Sequence, residues 1–507
     1  MHYKAALRLF WIGCIMHGAG FPHHAYAQQG INNLWMGGFE DESPPPWGGS
    51  NLNYQTGNLL ITTTDWHIDF FRTNTNITNS EGDLLFSTNG AFIANVTGDT
   101  MQNGSGLNPS LYATWYPEGL NISQGCLIIP KPEEPNIYYL FHATIDDIPN
   151  SVAHHLYLTE VNSALDNGTG EVESKNVEII ADTLNGGRIT AVRHANGRDW
   201  WIFCFKANSN MHYRLLVTPN GVQLDGNQAI GEIRTPDHGQ ACFSPDGTRY
   251  AYYSGFDPAD LEIFDFDRCT GLFSNPIDIS IDDSNSLGGL AFSPNGRFLY
   301  VSSVLDVYQF DMEAADIAGS MLLIAHWDGS YSPAPPFSTV FDIAQLAPDG
   351  KICIGTGNGT LHMHVINNPD EPGLACNLVQ HGIVLPRYYA NSLPNHPNYF
   401  LGALAGSPCD TLGLSVGLDS AGLGSALPAI VAFPNPTLGN FTLSYPAHAT
   451  LGELEVRDVA GRVVLRERLP QWSTMHQVEL TGQTAGMYQC KLSWGQQSTT
   501  THLVLER

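Results

Sequence analysis

A short turn recurs along this chain. It appears as Thr88-Asn89-Gly90, Ala195-Asn196-Gly197, Pro245-Asp246-Gly247, Pro294-Asn295-Gly296 and Pro348-Asp349-Gly350. Asn-Gly and Asp-Gly suit tight hairpins because both central positions tolerate positive φ. Short runs rich in Phe, Tyr, Val and Ile flank each turn; ACFSPDGTRYAYYSG and LAFSPNGRFLYVSS are close copies. Gly197, Gly247, Gly296 and Gly350 are 50, 49 and 54 residues apart, and Gly90 precedes Gly197 by 107, two such steps. A period near 50 in an all-β chain predicts a β-propeller with one four-stranded sheet per blade. Spread over residues 34–407 it gives about seven blades, with six and eight also compatible. Each turn is expected to join the middle strands of a blade, and Phe292, Phe298 and Tyr300 to fill the layer between blades. The turn residues Gly90, Gly197, Asp246, Gly247, Asn295, Gly296, Asp349 and Gly350 are read as turn formers rather than catalysts. A solenoid or a pair of β-sandwiches fits the spacing less well.

The repeat copies Phe243-Ser244-Pro245-Asp246-Gly247 and Phe292-Ser293-Pro294-Asn295-Gly296 resemble the WD-like or PD-type propellers of exported bacterial proteins. Those motifs are structural and imply no ligand.

Residues 1–27 read as a signal peptide: Lys4 and Arg8, an apolar stretch from Leu9 to Met16, then Ala25-Tyr26-Ala27 as a cleavage site. The apolar stretch is too short to span a bilayer, and no later stretch reaches that length. The expected organisation is signal peptide 1–27, propeller 28–407, a Gly/Ser/Ala-rich linker 408–430 and a small β-sandwich of immunoglobulin-like type over 431–507. The tail carries Pro434-Asn435-Pro436, then Gly461-Arg462, Gly486, Tyr488, Lys491-Leu492 and a closing Leu503-Val504-Leu505. This set resembles the C-terminal sorting domain of type IX secretion cargo in Bacteroidetes. The resemblance implies a partner, the type IX machinery, and a location that is secreted or on the outer cell surface.

With 22 Lys plus Arg against 49 Asp plus Glu, the formal charge is -27. Such a surface repels phosphate backbones, so nucleic acid partners are excluded. Eight cysteines follow the signal peptide and none forms a CxxC. Cys269 and Cys376, both in loop-like settings, are the expected pair.

Chemistry is harder to find. No HExxH or P-loop is present. His362 and His364 share a strand face and could begin a metal site, but no third ligand can be placed. Asp265 and Asp267 could hold a structural calcium ion; no other cofactor is expected. Asp65, Asp69, Glu81 and Asp83 place carboxylates near the first blade. The densest polar and aromatic cluster is His194, Asn196, Arg198, Asp199 and Trp200. With Asn395, His396 and Asn398 it is the expected binding rim. The absence of a catalytic signature favours a non-enzymatic protein, binding an extracellular protein or glycan. An extracellular hydrolase using propeller carboxylates and a structural surface or matrix component are the alternatives.

Overall fold

A computed structural model describes residues 30–506, apart from 41–42, 58, 65, 148–151, 256–258, 282–286, 333–335, 390–391, 405, 411, 413–429 and ten single positions in the tail. The signal peptide, most of the linker, Asp65, Pro434 and Pro436 lie outside the described residues. The architecture is all-β and propeller-like. Successive antiparallel sheets follow one another in chain order. The first two are three-stranded, over Leu34–Phe39, Gly48–Asn53 and Leu60–Thr64, then Thr75–Thr78, Leu84–Thr88 and Ile93–Ala94. The third to seventh are four-stranded and open with Cys126–Pro130, Thr190–Arg193, Gly239–Phe243, Gly289–Phe292 and Phe341–Leu346.

The second strand of each sheet shows why these sequences stack. Trp200–Phe205 reads WWIFCF and is buried throughout. A strand sends alternate side chains to opposite faces, so a continuous apolar run implies cover on both. Trp200, Ile202 and Cys204 join the core shared with the third sheet, while Trp201, Phe203 and Phe205 join the core shared with the fifth. Tyr250 and Tyr252 divide from Ala251 and Tyr253 in the same way. So do Phe298 and Tyr300 from Leu299 and Val301. Burying each aromatic contributes about 1.5–3 kcal/mol. The apolar layers continue from seventh to first sheet and from first to second.

The turn residues have positive φ as expected: Gly197 at 76°, Gly247 at 71°, Gly296 at 72° and Gly350 at 81°. Asp246 Oδ1 accepts from Thr248 N at 3.0 Å, Asn295 Oδ1 from Arg297 N at 2.9 Å and Asp349 Oδ1 from Lys351 N at 3.2 Å. These turns join first and second strands, not the middle pair, because the hairpin forms at the first reversal of each sheet. The Asn89-Gly90 turn is out of phase with them: it joins second and third strands.

The first sheet is irregular. Its opening strand runs antiparallel to the opening strand of the second, since Phe70 N bonds Gly38 O, Asn74 Nδ2 bonds Met36 O and Asn76 Nδ2 bonds Leu34 O. Residues 392–396 lie along the same strand of the second sheet, where Asn395 N donates to Asn74 O at 2.9 Å.

The tail has two antiparallel sheets around one core that includes Leu443, Val456, Tyr488, Leu492, Leu503 and Leu505. Asn435 fastens its last strand: Nδ2 donates to His502 O at 2.9 Å and Oδ1 accepts from Val504 N at 2.8 Å. Gly461 turns at φ 78°, and Arg462 pairs with Asp458 at 2.7 Å. Tyr488 OH donates to Thr484 O at 2.6 Å. Gly486 opens the strand that carries Lys491. Among the described residues, no helix is long and apolar enough to cross a membrane.

Candidate functional site

The first strands of the second to seventh sheets line an axis with two unlike ends. At one end lie the repeated turns. The cluster His194, Asn196, Arg198, Asp199 and Trp200 is here, and its polar groups bond each other. Asn196 Nδ2 donates to Asp199 Oδ2 at 2.7 Å, Arg198 Nε to Asp199 Oδ1 at 2.7 Å, and His194 Nε2 to Cys269 O at 3.1 Å. Trp200 is buried with Arg193 stacked 3.9 Å from its ring. The chain itself covers this end. Leu404 N donates to Ala195 O and buried Arg268 to Gly402 O. A Cβ on Gly197 would stand 2.4 Å from Ala403 N. Of the expected binding rim, Asp199 and Trp200 are buried here, whereas His194, Asn196 and Arg198 are partly exposed.

A disulfide, Cys269–Cys409, fastens the same segment. The expected partner Cys376 is instead a free, buried thiol. It packs in the core of the sixth and seventh sheets, away from Cys269.

Asn395, His396 and Asn398 run inside the axis. Asn395 Nδ2 donates to Cys126 O and Ile189 O, both at 2.9 Å, and its Oδ1 accepts from Gln124 Nε2 at 3.1 Å. His396 Nε2 donates to Asn76 O at 2.8 Å and Asn398 Nδ2 to Pro245 O at 2.8 Å. Burial, partly offset by the Asn76 carbonyl, holds the His396 imidazole down to about 4. Beside this segment lies a cavity of about 100 Å³ lined by Gln124, Thr190, Phe243, Leu290, Gln345 and His396 among others. Its described lining holds no Asp, Glu, Lys or Arg. Gln124 Oε1 accepts from Ala241 N at 2.9 Å, and Gln240 Oε1 from Leu290 N at 3.1 Å and Ala344 N at 3.0 Å, tying the first strands together.

The other end, where the first strands begin, is charged. Arg72 reaches across to Asp342 at 2.8 Å and donates to Ser123 Oγ at 3.0 Å. Arg188 pairs with Asp237 at 2.7 Å, and Ser254 Oγ donates to the other Asp237 oxygen. All four charged side chains are at most 4% exposed. His238 is partly exposed. Burial, then the cations Arg72 and Arg188, bring it down to about 4, so it is neutral at pH 7. Burial pushes the Asp342 carboxyl up against the opposing pull of Arg72. Sequence reasoning missed this set. Its members stand alone in the sequence, each just before or at the start of a first strand, and only the repeat phase could have aligned them.

The other expected sites are occupied structurally. His364 donates from Nε2 to Thr339 O at 2.9 Å and accepts at Nδ1 from His381 N at 3.2 Å, which leaves no nitrogen for a metal. Asp265 accepts from Asn275, and Asp267 accepts from Cys269 N and Thr270 Oγ1. Among the described residues, no group of three or more His, Cys, Asp or Glu is placed to hold a metal ion. Glu81 and Asp83 are exposed in a turn.

Residues 431–506 match the family model for the secretion system C-terminal sorting domain. The tail is a type IX sorting domain. The protein is accordingly secreted or displayed on the cell surface, and the type IX machinery handles its tail. No curated protein matches the chain. Among solved structures it is similar to a Lactobacillus plantarum protein, at 13% identity over 71% of this chain and 98% of that one, with a TM-score of 0.43. It is similar to the periplasmic gluconolactonase of Pseudomonas aeruginosa, at 11% identity over 71% and 99%, TM-score 0.39. A third is a quinonprotein alcohol dehydrogenase-like protein of Bacteroides thetaiotaomicron, at 9% over 73% and 76%, TM-score 0.35. These are likenesses of fold and give no residue a role. The expectation of a non-enzyme is not upheld: the similar solved structures include proteins named as a gluconolactonase and as an alcohol dehydrogenase-like protein.

Proposed function

We propose that this is an exported hydrolase that acts at the charged end of a closed, seven-bladed propeller. In this reading the sheets are seven blades, and residues 392–396 complete the first by taking its innermost position. The tail is an immunoglobulin-like sandwich that serves export. One observation carries the activity: Arg72, Arg188, Asp237 and Asp342 are buried around His238 on the axis. Burying ion pairs costs several kcal/mol per charge before their attraction repays it. The ring does not need them, since Gln124 and Gln240 join its strands with neutral amides. Sets of buried, mutually perturbing titratable groups are concentrated at functional sites.

The chemistry that suits the set is hydrolysis of an ester or lactone. Neutral His238 takes a proton from water as the oxygen adds to the carbonyl carbon. A guanidinium stabilises the oxyanion, and the same proton passes to the departing alkoxide as the carbonyl reforms. Turnover of a panel of chromogenic esters and lactones by the exported protein tests this. His238→Gln and Asp342→Asn should each lower kcat/KM at least a hundredfold. Full activity in both variants, or none in the parent across the panel, would sink the proposal.

A further inference from the structure

Arg188 stands apart within the charged set. It is 1% exposed, and its guanidinium lies 4.6 Å over the Tyr252 ring. Nη2 meets Asp237, yet among the described residues Nε and Nη1 have no hydrogen-bond partner. Its backbone is held at φ 51°, a left-handed conformation that costs a side-chain-bearing residue energy and persists where the surroundings enforce it. The surroundings do so. Arg188 N donates to Ser123 O at 3.1 Å, and Asn185 holds both Tyr252 OH at 2.9 Å and Asp237 at 3.4 Å. Gly239 is bare where a Cβ would come within 2.6 Å of Nη2. A buried guanidinium with open donors is a costly arrangement that an anion would complete.

We infer that the open donors of Arg188 seat a carboxylate, so that the molecule handled at this end of the axis is a carboxylic acid. This rests on reading the charged end as a ligand site and adds the class of ligand. Charge selects the carboxylate. The two arginines and two aspartates sum to zero, and His238 is neutral. A carboxylate leaves the set with one negative charge. A phosphate dianion would leave two, beside the buried carboxylates of Asp237 and Asp342. His238 is the partly exposed member, so the ligand enters on its side.

The groups acting on His238 are Arg72, Arg188 and Asp237. An added anion therefore raises its pKa, and the imidazole reports occupancy without turnover. The probes are acetate, its neutral isostere acetamide, and inorganic phosphate, titrated against the histidine-labelled exported protein with His238 assigned by His238→Gln. Acetate should give a saturable upward shift of the His238 titration. Acetamide should give none, and phosphate should bind at least tenfold more weakly. Arg188→Lys should weaken acetate tenfold or more. If that variant does not fold, Arg188→Met with Asp237→Asn removes both charges together and should abolish the response. No saturable acetate shift, phosphate binding as tight as acetate, or an unchanged response in either folded variant would overturn the inference. Acetate binding in a protein that hydrolyses nothing would remove the hydrolase reading and leave this one standing.

Discussion

Asn395→Ala tests how the first strands of neighbouring sheets are held together. Asn395 is 6% exposed and its side chain makes three hydrogen bonds, to Cys126 O, Ile189 O and Gln124 Nε2. Each such bond is worth about 1 kcal/mol net, and a buried group left unpaired costs about 1–3 kcal/mol. The variant should lose about 3–5 kcal/mol, a large share of an ordinary domain's stability. Asn395→Asp separates bonding from shape. It keeps the volume but aims a carboxylate at two carbonyl oxygens, so its folded-state pKa rises above the unfolded value of about 3.9. Below that value both states are protonated and the penalty is smallest. It grows as pH rises towards the folded pKa. Urea unfolding at pH 5 and pH 7.5, followed by tryptophan fluorescence, reads both effects. An Asn395→Ala variant within 1 kcal/mol of the parent, or an Asn395→Asp variant relatively more stable at the higher pH, would refute the role given to this segment.

Burial lowers His142 and His212 to about 3 and His238, His364 and His396 to about 4. Each should cost about 1.4 kcal/mol per pH unit as pH falls from 6.5 towards 4, because the unfolded chain takes protons that the fold refuses. Asp370, raised to about 6 mainly by burial, gains stability over part of the same range and offsets about one of them. Denaturant titrations from pH 7 to pH 4.5 should show the steep net fall. Reducing Cys269–Cys409, which closes 140 residues, should cost up to about 5 kcal/mol by loop entropy, seen as a lower unfolding midpoint in dithiothreitol. Gly197→Ala should destabilise by more than 1 kcal/mol in the same assay, from its positive φ and from contact with Ala403. Ending the chain near Pro428 should hold the protein in the periplasm of a type IX-competent host, as fractionation and mass spectrometry would show.

The spacing of Gly197, Gly247, Gly296 and Gly350 made the propeller-like fold legible, because each blade repeats one hairpin and glycine there is fixed by backbone geometry. The second sheet was misphased because Asn89-Gly90 serves a later reversal with the same turn chemistry. The internal bonding of the polar cluster around His194 was not legible, because Asp199 and Arg198 look alike in sequence whether they face solvent or each other. The segment that covers neighbouring Ala195 and Gly197 comes some two hundred residues later, and no local pattern announces it. The charged end was invisible for the opposite reason. Arg72, Arg188, Asp237 and Asp342 share a position in the repeat but not a residue type, so periodicity conceals them.

The bond from Thr75 to Asn395 joins residues 320 apart. Contacts of that span must wait for nearly all the chain between them, and a chain that folds through them folds slowly. Until residues 392–396 arrive, the first and second sheets lack their neighbour along the axis. The sorting domain begins fewer than 40 residues later. The contacts of residues 392–396 and the export signal are thus completed almost together. A chain cut short before residue 392 lacks both those contacts and the signal, so any chain that presents the sorting domain to the secretion machinery also carries the segment that makes them.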